Sequence, residues 1–261
     1  PSLNAAVMVA GSLGALFATL PVAWAVPAFG WRGVFFGLSG LFVLSALGVF
    51  STPEKAGATK QESLGELLQG LVDVARSRVF WRYAPQATMV TGGYMALQGL
   101  WAIPWLMDVN GYSRDQAAFH LLLTTVGMLL GFLAITLFIV PLTRRGIPPV
   151  RVLVGGVGMG LLCLLAMWLD LGLSQLLWFA LGMCFSVTNL AYALMTAHFP
   201  VHLAGRANTV LNLGIFVGAF ALQWGYGALL NLLQAQGWAL AEAHRAVFGG
   251  MLALQVASFA W

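Results

Sequence analysis

Charge is what this sequence has least of. Of its 261 residues, 8% are Asp, Glu, Lys or Arg, against about 25% in soluble globular domains. A chain so poor in charge cannot cover a globule with a wetted surface. With 60% hydrophobic residues, its solvent must be one that accepts Leu, Val and Phe, and that solvent is the lipid bilayer. Cysteine is almost absent too. Cys163 and Cys184 stand inside apolar runs and supply neither a disulfide framework nor zinc-ligand spacing. His198 and His202 have the i, i+4 spacing of metal ligands, but Pro200 stands between them and ends a helix. No metal site and no cofactor is expected. There is no phosphate-binding loop, no Ser-His-Asp set, and no basic stripe that would suit nucleic acid.

What the chain has is long apolar runs. A span needs about 20 mostly apolar residues. Eight segments meet or approach this: 4–27, 33–52, 83–107, 116–142, 152–169, 173–199, 207–233 and 246–261. None contains Asp, Glu, Lys or Arg; every charge lies in a connection or at a span edge. A charge at mid-bilayer costs about 2.5–3.5 kcal/mol on the insertion scale, so this sorting supports the assignment. The chain begins at Pro1 and ends at Trp261 within an apolar run, and reads as an internal fragment. Its first run is too long and too rich in Gly and Pro for a signal peptide.

Alternate connections lie on alternate sides. The set 53–82, 143–151 and 200–206 holds nine of the twelve Lys and Arg; the set 28–32, 108–115, 170–172 and 234–245 holds three. The positive-inside rule puts the first set in the cytoplasm. The longest connection, 53–82, starts polar and then reads SLGELLQGLVDVAR. Ser63 and Glu66 have capping-box spacing. Leu64, Leu67, Leu68, Leu71, Val72 and Ala75 recur at helical spacing. A helix over about 63–76, lying along the inner membrane surface, is expected. It separates residues 1–52, with two spans, from 83–261, with six. The fold class expected is an all-α membrane protein, a polytopic bundle of eight transmembrane helices.

Three short motifs accompany this layout. Gly30-Trp31-Arg32 precedes Phe35 and Phe36. The run GSLGALFATLP, 11–21, is glycine-rich. Thr143-Arg144-Arg145-Gly146 sits in a turn between spans. With two spans, a long basic connection and six further spans, the chain resembles the back two-thirds of a twelve-helix major facilitator superfamily transporter, its fifth to twelfth spans. The first two motifs resemble that family's GWR turn and its glycine-rich fifth span. The third resembles the second-half echo of its cytoplasmic loop motif, with Thr143 where an acidic residue is usual. The resemblance implies a cytoplasmic gate at Arg144, Arg145 and Gly146, and a 53–82 loop between two halves of six helices, the second truncated at its end. It implies a monomer that moves a small-molecule substrate by alternating access, with a coupling ion such as a proton available to it, in a bacterial inner membrane. Gly14 is followed by Ala15 rather than the proline common in the family's antiporters, so antiport is not implied.

Small residues let membrane helices approach. Gly33 with Gly37, Gly127 with Gly131, Gly156 with Gly160, and Gly214 with Gly218 all have GxxxG spacing. Trp31, Trp81, Trp105, Trp168, Trp178 and Trp238 fall near span ends, where interface anchors belong. Polar groups inside a span need partners or water. Thr91, Tyr94, Gln98 and Trp101 form one helical stripe; Asn189, Tyr192 and Thr196 form a second; Asn208, Asn212, Gln223 and Tyr226 form a third. Under the resemblance the first two stripes lie on cavity-lining spans and the third flanks them. The expected substrate-binding residues are Tyr94, Gln98, Trp101, Asn189, Tyr192, Asn212 and Gln223. The stripes carry no carboxylate, and His120 and His198 read as hydrogen-bonded structural residues near span ends. A membrane-embedded transferase is the competing reading. Its acids and bases would come from Asp108, Asp115, Asp170, Glu242 and His244, scattered over three connections. A receptor or sensor without transport is a third reading.

Overall fold

A computed structural model describes residues 20–51 and 63–261, with Gly11 and Gly14 before them. Most of the first predicted span, most of the glycine-rich 11–21 stretch and the polar segment 53–62 lie outside the described residues. Every described element is helical. The chain divides into two compact units, Pro1–Leu64 and Gly65–Trp261.

In the first unit, α1 runs over Leu20–Phe50 with one break: Gly30, at φ 68° and ψ 162°, is not helical. The loop expected over 28–32 is reduced to this single residue, because glycine alone adopts positive φ without cost and the chain resumes its helix at once. The Arg32 guanidinium lies 4.4 Å from the centre of the Trp31 ring. Inside the apolar run, the Ser39 and Ser45 hydroxyls donate to the carbonyls of Phe35 and Leu41, which satisfies them without a partner helix.

The second unit takes in α2 (Leu64–Arg76) from its second residue, Gly65. A rod of short helices on a shared course comes next: α3 (Arg78–Gln86), a π-helical turn (Ala87–Thr91), α4 (Gly92–Ala96), a second π-helical turn (Leu97–Trp101) and α5 (Ala102–Asp108). Then come α6 (Arg114–Arg144), α7 (Pro149–Trp168), α8 (Ser174–Phe185), a 3₁₀ turn (Ser186–Asn189), α9 (Leu190–Thr196), α10 (Val201–Ala235) and α11 (Leu240–Ala260). Five helices among the described residues are long and apolar enough to cross a membrane: Ala25–Phe50, Arg114–Arg144, Pro149–Trp168, Ser174–Thr196 and Val201–Ala235. The protein is a multi-pass integral membrane protein. The predicted third span is the rod, which the π-turns cut into short pieces. The predicted eighth is α11, whose first two turns carry Glu242, His244 and Arg245.

The connections are shorter than the sequence implies. Residues 78–82 are already helical. α10 starts at Val201, directly after Pro200, so Arg206 sits on a helix rather than in a loop. α11 starts at Leu240, not 246. Local chemistry fixes the ends. Ser113 Oγ accepts from the Gln116 amide (3.3 Å) while Gln116 Oε1 accepts from the Ser113 amide (2.9 Å), a capping box at the start of α6. At its other end, the Ile147 amide donates to the Leu142 carbonyl and the Gly146 amide to that of Thr143, both at 3.0 Å, with Gly146 at φ 85°. That is a Schellman stop. Gly237 (φ 91°) ends α10 in the same way.

Glycines set the helix crossings. A Cβ on Gly127 would overlap the Phe179 carbonyl, one on Gly182 the Thr124 carbonyl, and one on Gly131 the Ser186 hydroxyl. α6 and α8 therefore touch backbone to backbone. Gly214 and Gly218 face Thr88, and Gly156 and Gly160 face Val187 and Cys184. Among the described residues, a Cβ on Gly33 would meet Phe29 of its own helix and nothing else within 4 Å. Trp105 and Trp178, expected as interface anchors, are each 1% exposed. They sit at helix ends but fill the core, where large rings exclude voids. In α2, Gly70 and Val74 are buried and Leu64 and Leu68 are exposed. The helix turns its small residues inward because the Arg206 guanidinium lies over Gly70, 2.6 Å from where a Cβ would be.

Candidate functional site

The polar stripes meet where the rod crosses α10. A Cβ on Gly92 would come within 2.8 Å of the Ala219 amide nitrogen, and one on Gly218 within 2.8 Å of the Thr88 carbonyl. The two helices are thus in backbone contact at mid-length. Trp101 Nε1 donates to the Gln223 carbonyl at 2.9 Å, and its ring stacks on Tyr226 with centroids 4.6 Å apart. The Gln223 amide lies 3.5 Å from a Cβ placed on Gly99. Gln98, one residue before, is half-buried and hydrogen-bonds to none of the described residues. On the other side of the glycine contact, the Tyr192 hydroxyl donates to Asn212 Oδ1 at 2.8 Å. Asn189, almost one turn above Tyr192, reaches only the Ser186 carbonyl, at 3.5 Å. Asn212 and Gln223 are eleven residues apart on α10, about 16 Å at 1.5 Å per residue. The expected residues therefore form two groups, Gln98, Trp101 and Gln223 in one, Asn189, Tyr192 and Asn212 in the other.

Tyr94 stands apart from both. It is buried, stacked on Phe185 at 4.1 Å, with its hydroxyl toward Met128 Sδ at 4.0 Å. The spacing that puts it in one stripe with Gln98 and Trp101 assumes an unbroken α-helix. The π-turn over Leu97–Trp101 adds a residue to the turn and rotates the helix beyond it, so the stripe splits. Such π-turns recur at functional sites, and no composition or spacing in this segment announces one.

At the end of the bundle away from Arg82, Arg144 and Arg151, side chains from distant parts of the chain form a buried cluster. His244 Nε2 lies 3.2 Å from Asp108 Oδ2; the histidine side chain is 1% exposed and the aspartate 32%. The Tyr226 hydroxyl is 3.0 Å from His244 Nδ1. A neutral imidazole protonated on Nε2 satisfies both contacts, donating to Asp108 and accepting from Tyr226. Trp101 and Trp105 approach the imidazole edge-on. Nearby, Trp168 Nε1 donates to the Arg245 carbonyl (2.8 Å), and Arg245 pairs with Asp170 at 3.5 Å. Asp108, Asp170 and His244, read from the sequence as scattered, are thus gathered at one end, where they tie α5, α7, α10 and α11 together. One arrangement recurs here. Trp101 lies across Gly227 and bonds the carbonyl of Gln223, four residues earlier; Trp168 lies across Gly249 and bonds that of Arg245, again four earlier. Only glycine leaves room for the indole to reach a helical carbonyl.

The expected gate residues close α6. Arg144 and Arg145 are exposed and form no ion pair with the described residues, while the Thr143 hydroxyl donates to the Ile139 carbonyl at 2.7 Å. Thr143 therefore satisfies itself within its own helix. His120 is buried with Nδ1 2.7 Å from the Gln116 carbonyl, and His198 Nδ1 is 2.8 Å from that of Leu194. No curated protein matches this chain. A family model, that of the Major Facilitator Superfamily, matches residues 1–222.

Proposed function

From a chain that belongs to the Major Facilitator Superfamily, we infer a carrier that moves a small solute across the bilayer by alternating access, as a facilitator or a secondary active transporter. Its solute meets the neutral groups Gln98, Trp101 and Gln223 on one side of the Gly92–Gly218 contact and Asn189, Tyr192 and Asn212 on the other. Tyr94 backs the wall from behind. The observation that carries this reading is Gln98: a half-buried amide, free of the described side chains, beside an indole and a second amide. A polar group held this way in a membrane helix needs water or a solute. These groups suit hydroxyls and amides better than an ion, so a proton or other coupling ion would be carried elsewhere.

The chain's described part corresponds on this reading to spans in the back two-thirds of the twelve-helix fold, with α2 on the inner membrane surface between the halves. The arginine-rich end faces the cytoplasm of a bacterial inner membrane, the protein works as a monomer, and the Arg144-Arg145-Gly146 turn belongs to the inner gate. The Asp108, His244 and Tyr226 set is closed over by tryptophans and supports a clamp rather than an enzyme's acid–base chemistry.

Solute uptake into proteoliposomes or cells, measured on Gln98→Ala and Asn189→Ala, tests the assignment. Each should lower uptake by about tenfold, the worth of one hydrogen bond to a buried polar group, at unchanged protein level. Full uptake by both variants would refute the site.

A further inference from the structure

At the arginine-rich end, a cavity of about 580 Å³ opens between α3, α7, α9 and α11. It is separate from the two polar groups of the proposed solute site. Arg82, Tyr83, Gln86, His198 and Ser258 line it, the Ser258 hydroxyl donating to the Gln255 carbonyl of its own helix. Gln86 Nε2 is buried and has no hydrogen-bond partner among the described residues. The Arg82 guanidinium and the Tyr83 hydroxyl likewise bond to none of them. His198 turns Nδ1 to its own helix, which leaves Nε2 to the cavity. Arg82, Tyr83 and Gln86 Nε2 offer donors, and no carboxylate lines the cavity to balance the Arg82 charge. What fits is a ligand that brings several acceptor oxygens and negative charge.

The opposite wall is of another kind. Val150, Leu153, Val154 and Val157 climb α7 for two turns, about 10 Å, and Phe259 of α11 closes that side. Val150 and Val154 are 40% and 51% exposed, as valines are where a helix meets acyl chains. The level of the cavity is also marked. Trp81 and Trp261 are exposed, and Trp261 Nε1 donates to the Trp81 carbonyl at 3.2 Å. Pro85 has no N–H, so that carbonyl lacks its helical donor. Exposed tryptophans of this kind sit at the headgroup layer. Donors at that level, with an aliphatic wall running inward from them, match a phosphate head with a hydrocarbon tail.

We infer that this cavity is a binding site for an anionic phospholipid. The phosphate accepts from Arg82, Tyr83 and Gln86, and one acyl chain runs along the valines of α7. A soluble phosphate would use the donors but not the wall.

Native mass spectrometry of the full-length protein in detergent, titrated with dioleoylphosphatidylglycerol, tests this. One lipid per chain should bind saturably, and inorganic phosphate at millimolar concentration should not displace it. Arg82→Gln should weaken binding by about tenfold. Arg82 is exposed, so this variant keeps its fold, checked by unchanged elution and melting. Val154→Trp, which fills the wall and leaves every donor in place, should weaken it comparably. Binding unaffected by both substitutions overturns the site. Displacement by inorganic phosphate, with Val154→Trp behaving as wild type, makes it a soluble-anion site and overturns the lipid.

Discussion

The crossing of α6 and α8 permits a sharp test of what holds this bundle together. Lipid tails are as apolar as leucine, so these helices gain nothing from hiding apolar surface from each other; they are held by close packing. At Gly182 an added methyl would overlap the Thr124 carbonyl and lie 3.0 Å from the Met128 amide nitrogen. Both obstacles are backbone, and no rotamer change removes them. Gly182→Ala must therefore push the helices apart. That also loosens Gly127 on Phe179 and Gly131 on Met183, which share the seam. Overpacking of this sort costs about 1–3 kcal/mol. At about 2–4 °C per kcal/mol for a unit of this size, apparent melting should fall by about 2–12 °C. The assay is tryptophan-fluorescence melting in detergent at one fixed scan rate, since such unfolding is commonly irreversible. Gly155→Ala is the control. Gly155 has nothing within 4 Å of its Cβ position, and alanine is favoured over glycine in a helix by about 1 kcal/mol, so its melting should hold or rise. Gly127→Ala combined with Gly182→Ala should cost less than the sum, because the seam has already opened. Equal melting of Gly182→Ala and wild type, or an equal loss in Gly155→Ala, would refute the argument.

Other substitutions probe other joints. Gly146→Ala forces a side chain into a residue at φ 85° and should cost about 1–2 kcal/mol, read as lower melting. Tyr226→Phe removes a buried hydroxyl 3.0 Å from His244 and leaves the imidazole short of a partner; a loss of about 1–3 kcal/mol is expected, again in melting. Asp108→Asn keeps a hydrogen-bonding group toward His244 and should cost less than Asp108→Leu, a ranking that a purely steric role for Asp108 would not give. Gly70→Val would displace the Arg206 guanidinium from α2; limited trypsin digestion should then cut after Arg76 faster than in wild type.

The long helices were legible because each rests on local sequence: an apolar run of sufficient length and the absence of charge within it. The α2 helix, expected over 63–76, runs over Leu64–Arg76 for the same reason. Connections were overestimated because charge marks where the bilayer ends, not where the helix ends; α10 carries Arg206 beyond its apolar run. The grouping of the polar residues was hidden. Tyr94 left its stripe through a π-turn, a change of backbone phase with no residue signature. Asp108 and His244 are 136 positions apart, and only the antiparallel return of α11 brings them within 3.2 Å. Tryptophans near span ends misled for a related reason. Trp105 and Trp81 both fall near an expected span end, yet one fills the core and the other is exposed, a choice made by neighbours far along the chain.

The two π-turns in the rod have a mechanical meaning. One extra residue in a turn advances the phase by about 100°, so α3, α4 and α5 act as three gears keyed on one shaft at different angles. The first packs on α9, α10 and α11, the second on α10 at Gly92 and Gly218, the third on the Trp105–His244 clamp. A straight α-helix would transmit a twist whole from end to end. Here each π-turn changes the face that the rod presents, so its successive segments engage different partners.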